Sequence, residues 1–303
     1  MTRLALGFVL GCLTAALGLL PQTDDTRLAV TPSPIVWLEA ASTVVGASER
    51  DLAYAVHLCR ESRPLDLNSP APGTDGACSP MRFAGELPRA RVWTDAYGID
   101  RHEVTHERWR QCVIAGRCAP TRLREQDLRL TAPTMPVAGV TWAEAQGFCE
   151  FAGGRLPTDA EWERAARGSH VRRRFPWGRL FNARLANHGR SPRGPSAADG
   201  WAYAAPVGSF PDGVSPHGLH DVAGNVWEWT QSPPRTEEIG AGADASVYRT
   251  IRGGSWSQPP EVLRVTHRAW LPVAAQRSDL GLRCAYDVTD LARGGSSAIL
   301  RRP

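Results

Sequence analysis

The chain contains no lysine: all 35 of its basic residues are arginine, a bias that no mechanism requires and that reads as base composition of the genome. Net charge is scarce as well, +4 over 303 residues, and the only dense basic run is Arg172-Arg173-Arg174. A run of that length is a solvated loop sooner than a phosphate site. Nothing around it resembles a nucleic-acid module, so nucleic acid is excluded as an expected partner. No internal repeat occurs at any period, which excludes a stacked array.

What the chain does have is 42% hydrophobic residues, enough for a core, together with 11 Trp, 29 Gly and 24 Pro. That mixture suits a loop-rich fold in which aromatic rings, rather than long helices, supply much of the buried area. Arg3 is followed by the uncharged stretch Leu4–Leu20, then Pro21 and a polar segment. Residues 1–22 read as a signal peptide or an N-terminal membrane anchor, so the expected location is outside the cytoplasm: periplasm, cell surface or extracellular. Cleavage, anchoring and lipidation at Cys12 are all open. Residues 23–34 read as a linker, 35–287 as one domain and 288–303 as a disordered tail.

With Cys12 set aside, six cysteines remain, an even number in a chain bound for an oxidising compartment. Six cysteines allow fifteen pairings. Spacing suggests Cys112–Cys118, which enclose a short turn containing Gly116, and Cys59–Cys78, which flank a Pro/Gly-rich segment. Cys149 and Cys284 are left, and would tie a mid-chain helix to the last strand.

Alternation predicts a strand pair within Ile35–Gly46 and a single strand over Arg91–Ile99. Three helices carry start and stop signals: His106–Ala115 after Thr105, Trp142–Ala152 after Thr141 with Glu144 completing a capping box, and Asp159–Arg167 after Thr158 with Gly168 as the stop. Few helices and many short strands indicate an α+β domain.

Several stretches then coincide with one family, in its order. YGIDRHEVT (Tyr97–Thr105), PVAGVTWAEAQGFCEFAGGRLPTDAEWERAAR (Pro136–Arg167), FPWG (Phe175–Gly178), GLHDVAGNVWEW (Gly218–Trp229), RGGSW (Arg252–Trp256) and DLGLRC (Asp279–Cys284) resemble the signatures of formylglycine-generating enzymes, or sulfatase-modifying factors. The resemblance covers about Ile35–Asp287. It implies an irregular α+β fold, a variant of the C-type lectin-like fold rich in loops, with bound calcium and a Cys149–Cys284 disulfide.

Calcium takes six to eight oxygen ligands. The resemblance places one calcium at the side chains of Asp221 and Glu228 with the carbonyls of Gly224 and Val226. A second falls at the side chains of Asn187 and Asp199 with the carbonyls of His188 and Trp201. Family enzymes oxidise a client cysteine using a copper(I) ion held by two cysteines just after the Gly-Gly-Ser motif. Here those positions are Gln258 and Leu263, and no cysteine occurs between Cys149 and Cys284. Copper(I) requires soft thiolates, so copper is not an expected cofactor and no catalytic residue is assigned.

His102-Glu103-Val104-Thr105-His106 matches the His-Glu-x-x-His zinc motif, with Glu125 downstream. That motif works only when both histidines share a helix face, and Thr105 is better read as a cap that separates them. His217, His220 and His267 read as hydrogen-bonded loop residues, Trp227 and Trp229 as core, and Asp159/Glu161/Glu163 as a helix-start charge pattern. Two functions compete: an exported pseudoenzyme that binds a peptide, glycan or partner protein, and an oxidoreductase of the formylglycine-generating type using other metal ligands. The N-terminal segment could tether either one to a membrane.

Overall fold

Short strands and capped helices alternate with long ordered loops in the computed structural model, which describes residues 31, 33–62, 78–123, 127–189, 199–240 and 244–288. The N-terminal segment with Cys12, residues 23–30 and 32 of the linker and the tail from 289 lie outside the described residues. Among the described residues no helix is long and apolar enough to cross a membrane.

In chain order the elements begin with β1 (Ile35–Leu38), β2 (Ala41–Val45), α1 (Glu49–Ser62), β3 (Ala90–Thr94) and β4 (Tyr97–Asp100). Next come α2 (His106–Ile114), α3 (Leu128–Thr131), α4 (Trp142–Phe151) and α5 (Asp159–Arg167). The C-terminal part adds β5 (Trp227–Trp229), α6 (Thr236–Ile239), β6 (Tyr248–Arg252), β7 (Arg268–Pro272), β8 (Leu280–Gly281) and β9 (Ala285–Asp287). The sheets are ordered β1-β4-β9, β2-β3 and β7-β6-β5-β8. The fold is thus α+β, with few helices and short strands.

The expected strand pair within Ile35–Gly46 is corrected. Each strand exists, but β1 pairs with β4 and β2 with β3, both antiparallel. The expected single strand over Arg91–Ile99 is likewise two strands in different sheets. Alternating residues satisfy either arrangement, because the pattern reports which side chains are buried and not which neighbour supplies the hydrogen bonds.

All three capped helices form. The Thr105 hydroxyl accepts from the Arg108 amide, and Thr141 with Glu144 and Thr158 with Glu161 make reciprocal capping boxes. The cysteines pair as Cys59–Cys78, Cys112–Cys118 and Cys149–Cys284. The last of these fastens α4 to the segment leading into β9, through a core that also holds Trp109, Phe148, Trp227, Trp229, Leu263 and Leu282. Four arginines, Arg167, Arg252, Arg264 and Arg283, are fully buried in this framework and each meets a carboxylate.

Candidate functional site

β6 delivers the chain to Gly253 and Gly254, whose φ values of 95° and 75° lie where side chains are disfavoured. The turn aims Ser255 and Ser257 at one carboxylate. Each hydroxyl donates to Asp279 Oδ2 at 2.8 Å, and Arg277 closes a fork on the same group at 2.8 and 2.9 Å. Burial alone would raise the Asp279 pKa, but the Arg277 hydrogen bonds and charge, with the serine hydroxyls, hold it below the usual carboxylate range. Trp256 packs edge-on against Tyr203 at 5.2 Å, and the Arg129 guanidinium sits 5.1 Å from the Tyr203 ring centre.

Beyond the serines lie the two positions where the resemblance implies thiolates. The Gln258 side-chain amide donates to Ser257 Oγ at 3.3 Å, and the Gln258 backbone carbonyl accepts from the Gly189 amide at 2.9 Å. After the turn Pro260–Val262, Leu263 is fully buried in the core. Its methyl groups crowd Gly224 and Gly254, where an added Cβ would lie 3.3 Å from them. The pair therefore presents one neutral amide and one apolar side chain, neither able to hold copper(I).

Beside this loop runs Asp221–Glu228. Asp221 and Asn225 adopt left-handed φ of 58° and 63°, and Gly224 has φ of 92°. A Cβ on Gly224 would meet the Asn187 carbonyl at 1.9 Å, so only glycine permits that close approach. Asp221 Oδ2 accepts the Gly208 amide at 2.7 Å. Glu228 is gripped by Arg283 at 2.6 and 2.7 Å and by the Trp162 indole at 2.6 Å. Glu103 completes the cluster, accepting from the Asn225 side chain and from the Val226 amide.

Arg283 pairs with Glu228, and its charge also acts on Glu103 and Asp221. Burial and the neighbouring negative charges push Glu103 well above the ordinary carboxylate range, and Asp221 upward as well. The loop is rich in oxygen, as a hard cation requires, although Glu228 already has both oxygens hydrogen-bonded.

The second set is better prepared. Asn187 is buried, its amide donates to the Tyr203 carbonyl at 2.8 Å, and its Oδ1 has no hydrogen-bond partner among the described residues. Asp199 accepts the backbone amides of His188 at 2.6 Å and Trp201 at 2.9 Å, which draws the four residues together. An orphaned buried carbonyl oxygen next to such a carboxylate turn fits a calcium ligand set.

The zinc-like motif does not assemble. His102 packs against His220 with ring centres 4.6 Å apart and planes tilted by 30°, Glu103 turns to the Asn225 loop, and His106 begins α2 with its ring buried. Glu125 lies outside the described residues. Among the described residues no group of three or more His, Cys, Asp or Glu side chains is placed to hold a metal ion.

Other expectations also have definite places. The Trp229 indole donates to the Val140 carbonyl, and His267 Nδ1 lies 2.9 Å from Glu86. Asp159 and Glu163 pair with Arg252, while Glu161 caps α5 and meets Arg155. Glu103, Arg277, Asp279 and Arg283 are the site residues that sequence reasoning missed. All but Arg277 lie inside the quoted motifs, so the signal was present; which oxygen each would meet was not.

Residues 71–288 match the family described as sulfatase-modifying factor enzyme 1-like domain, and the chain belongs to that family. A hercynine oxygenase of Mycolicibacterium smegmatis is 32% identical over 260 residues, covering 71% of this chain and 59% of its own length. The inactive C-alpha-formylglycine-generating enzyme 2 of Bos taurus is 38% identical over 157 residues, 50% of each chain. The chain thus spans between half and three fifths of the length of these relatives. PvdO from Pseudomonas aeruginosa superposes with a TM-score of 0.59 at 23% identity, covering 84% of this chain and 94% of that one, and shares the fold.

Proposed function

We propose that this domain is an exported, non-catalytic member of its family, a pseudoenzyme that binds a peptide, glycan or protein ligand and carries structural calcium. One observation bears most of the weight: the positions that would hold copper are Gln258, tied to Ser257, and Leu263, buried in the core. The remaining described cysteines are all closed in disulfides, so no thiolate pair is available to replace them. The similarity to an inactive formylglycine-generating enzyme supports the same reading. Calcium is proposed at Asn187, His188, Asp199 and Trp201, and at Asp221, Gly224, Val226 and Glu228, where it would tie loops together.

The hercynine oxygenase relative favours a second reading, an oxidoreductase with other metal ligands. One experiment separates them. Purified protein is supplied with copper(I), and separately with iron(II), and incubated with a cysteine-containing sulfatase-type peptide in air. The expected outcome is no stoichiometric copper binding, and no oxidised product by mass spectrometry beyond that of a protein-free control. Formylglycine formation, or any other oxidation of the thiol beyond that in a protein-free control with the same metal, overturns the non-catalytic reading.

A further inference from the structure

Between Arg167 and Gly189 the chain carries six arginines and no acidic residue. Arg167 is neutralised by Glu163 and Arg174 by Asp51, while Arg173 donates to the Arg167 carbonyl. Arg172, Arg179 and Arg184 are exposed and have no ion pair among the described residues. Within this basic stretch lies a shallow cavity of about 730 Å³, walled by Trp177, Leu180 and Phe181 and rimmed by Arg179 and Asn182.

Its aromatic floor is rigid. Trp177 stacks on Phe175 at 5.3 Å with the planes 7° apart, and its indole N–H donates to the Leu180 carbonyl at 3.0 Å. Phe181 is backed by His188 at 5.1 Å, and its amide donates to the Tyr54 hydroxyl at 3.1 Å. The Gly178 amide closes back on the Phe175 carbonyl. The Gly178 and Phe181 amides are thereby satisfied within the protein. Asn182 Oδ1 accepts the Arg184 amide at 3.0 Å, which leaves the Asn182 NH₂ to donate outward. Leu180 is 68% exposed at the rim, an uncovered apolar surface beside unpaired positive charge.

We propose that this cavity binds an acidic saccharide, a uronic-acid pyranose whose C–H face lies on Trp177 and whose carboxylate meets Arg179. A fixed aromatic plane suits a flat apolar sugar face, and guanidinium matches carboxylate geometry. The inference rests on the non-catalytic binding reading.

The test is isothermal titration of the full chain with a short oligogalacturonide, beside a neutral cello-oligosaccharide and polyglutamate. Binding of the oligogalacturonide should weaken on the order of tenfold or more in both Trp177→Ala and Arg179→Glu. Arg179 is exposed, so Arg179→Glu reports on binding even if Trp177→Ala folds poorly. Any of these results overturns the proposal: no oligogalacturonide binding, polyglutamate binding equally well, or affinity unchanged in Arg179→Glu. A neutral sugar binding as tightly as the acidic one also overturns it. Failure here, with the cysteine peptide still unoxidised, leaves the non-catalytic reading standing. Thiol oxidation removes that reading whichever saccharide binds.

Discussion

Glu86 shows how single residues hold this domain together. It sits at the end of the turn Pro80–Glu86, fully buried, and receives Arg264 through both oxygens, the Thr266 hydroxyl and His267 Nδ1. A buried ion pair gains little net stability, since desolvation offsets much of the attraction, but removing one partner strands the other. Glu86→Gln is therefore expected to destabilise the fold by about 3 kcal/mol at neutral pH, measured by urea denaturation. Burial works against the Glu86 charge, yet Arg264 and His267 outweigh it and depress its pKa far below the ordinary value of 4.5. An unfolded chain holds that proton more tightly than the native one once the pH drops below 4.5. The contribution is then complete above that pH and is lost progressively below it. The gap between wild type and Glu86→Gln should accordingly shrink as the solution is acidified below pH 4.5. A gap that widened on acidification would contradict the assignment.

Among the elements, the three threonine-capped helices were legible and strand partners were not. Thr105, Thr141 and Thr158 act within one turn of their own helices, so their roles follow from local order. Thr158→Ala opens the α5 capping box and is expected to cost about 1 kcal/mol in thermal or urea unfolding, with Thr158→Ser largely restoring it. The helix α1 was overlooked although its pattern is plain. Leu52, Ala55, Val56 and Cys59 recur at helical spacing and are buried, and Ser48 meets Asp51 at its start. Strands β1 and β2 showed the right residues but the wrong partners, because β4 and β3 arrive from more than forty residues away.

Taken as a whole, the molecule has too few regular elements to order its long loops by packing alone. Disulfides, buried ion pairs and the proposed calcium ions share that task. A ligand that binds only the native state stabilises it by mass action. Chelation with EGTA should therefore lower the melting temperature, and added calcium should restore it. Asn187→Ala should weaken both effects by removing the orphaned oxygen, and Asp221→Ala should do so from the other loop. A melting temperature indifferent to EGTA in the wild type would leave these loops as hydrogen-bonded turns.

The sequence alone determined the family, the helix caps and the absence of a thiolate pair after Ser255. Each depends on residue identity at short spacing, which chain order preserves. Its spacing also pointed to the three disulfides, without excluding other pairings. Tertiary structure decided the rest of the site. Glu103 reaches Asn225 across 122 residues, Arg283 reaches Glu228 across 55, and Ser255 reaches Asp279 across 24. Those partners are selected by sheet register and close packing, which act between segments that carry no local mark of one another. The same holds for Leu263. Its place in the chain marked a missing ligand, and only the packed core around it shows an apolar side chain filling that space.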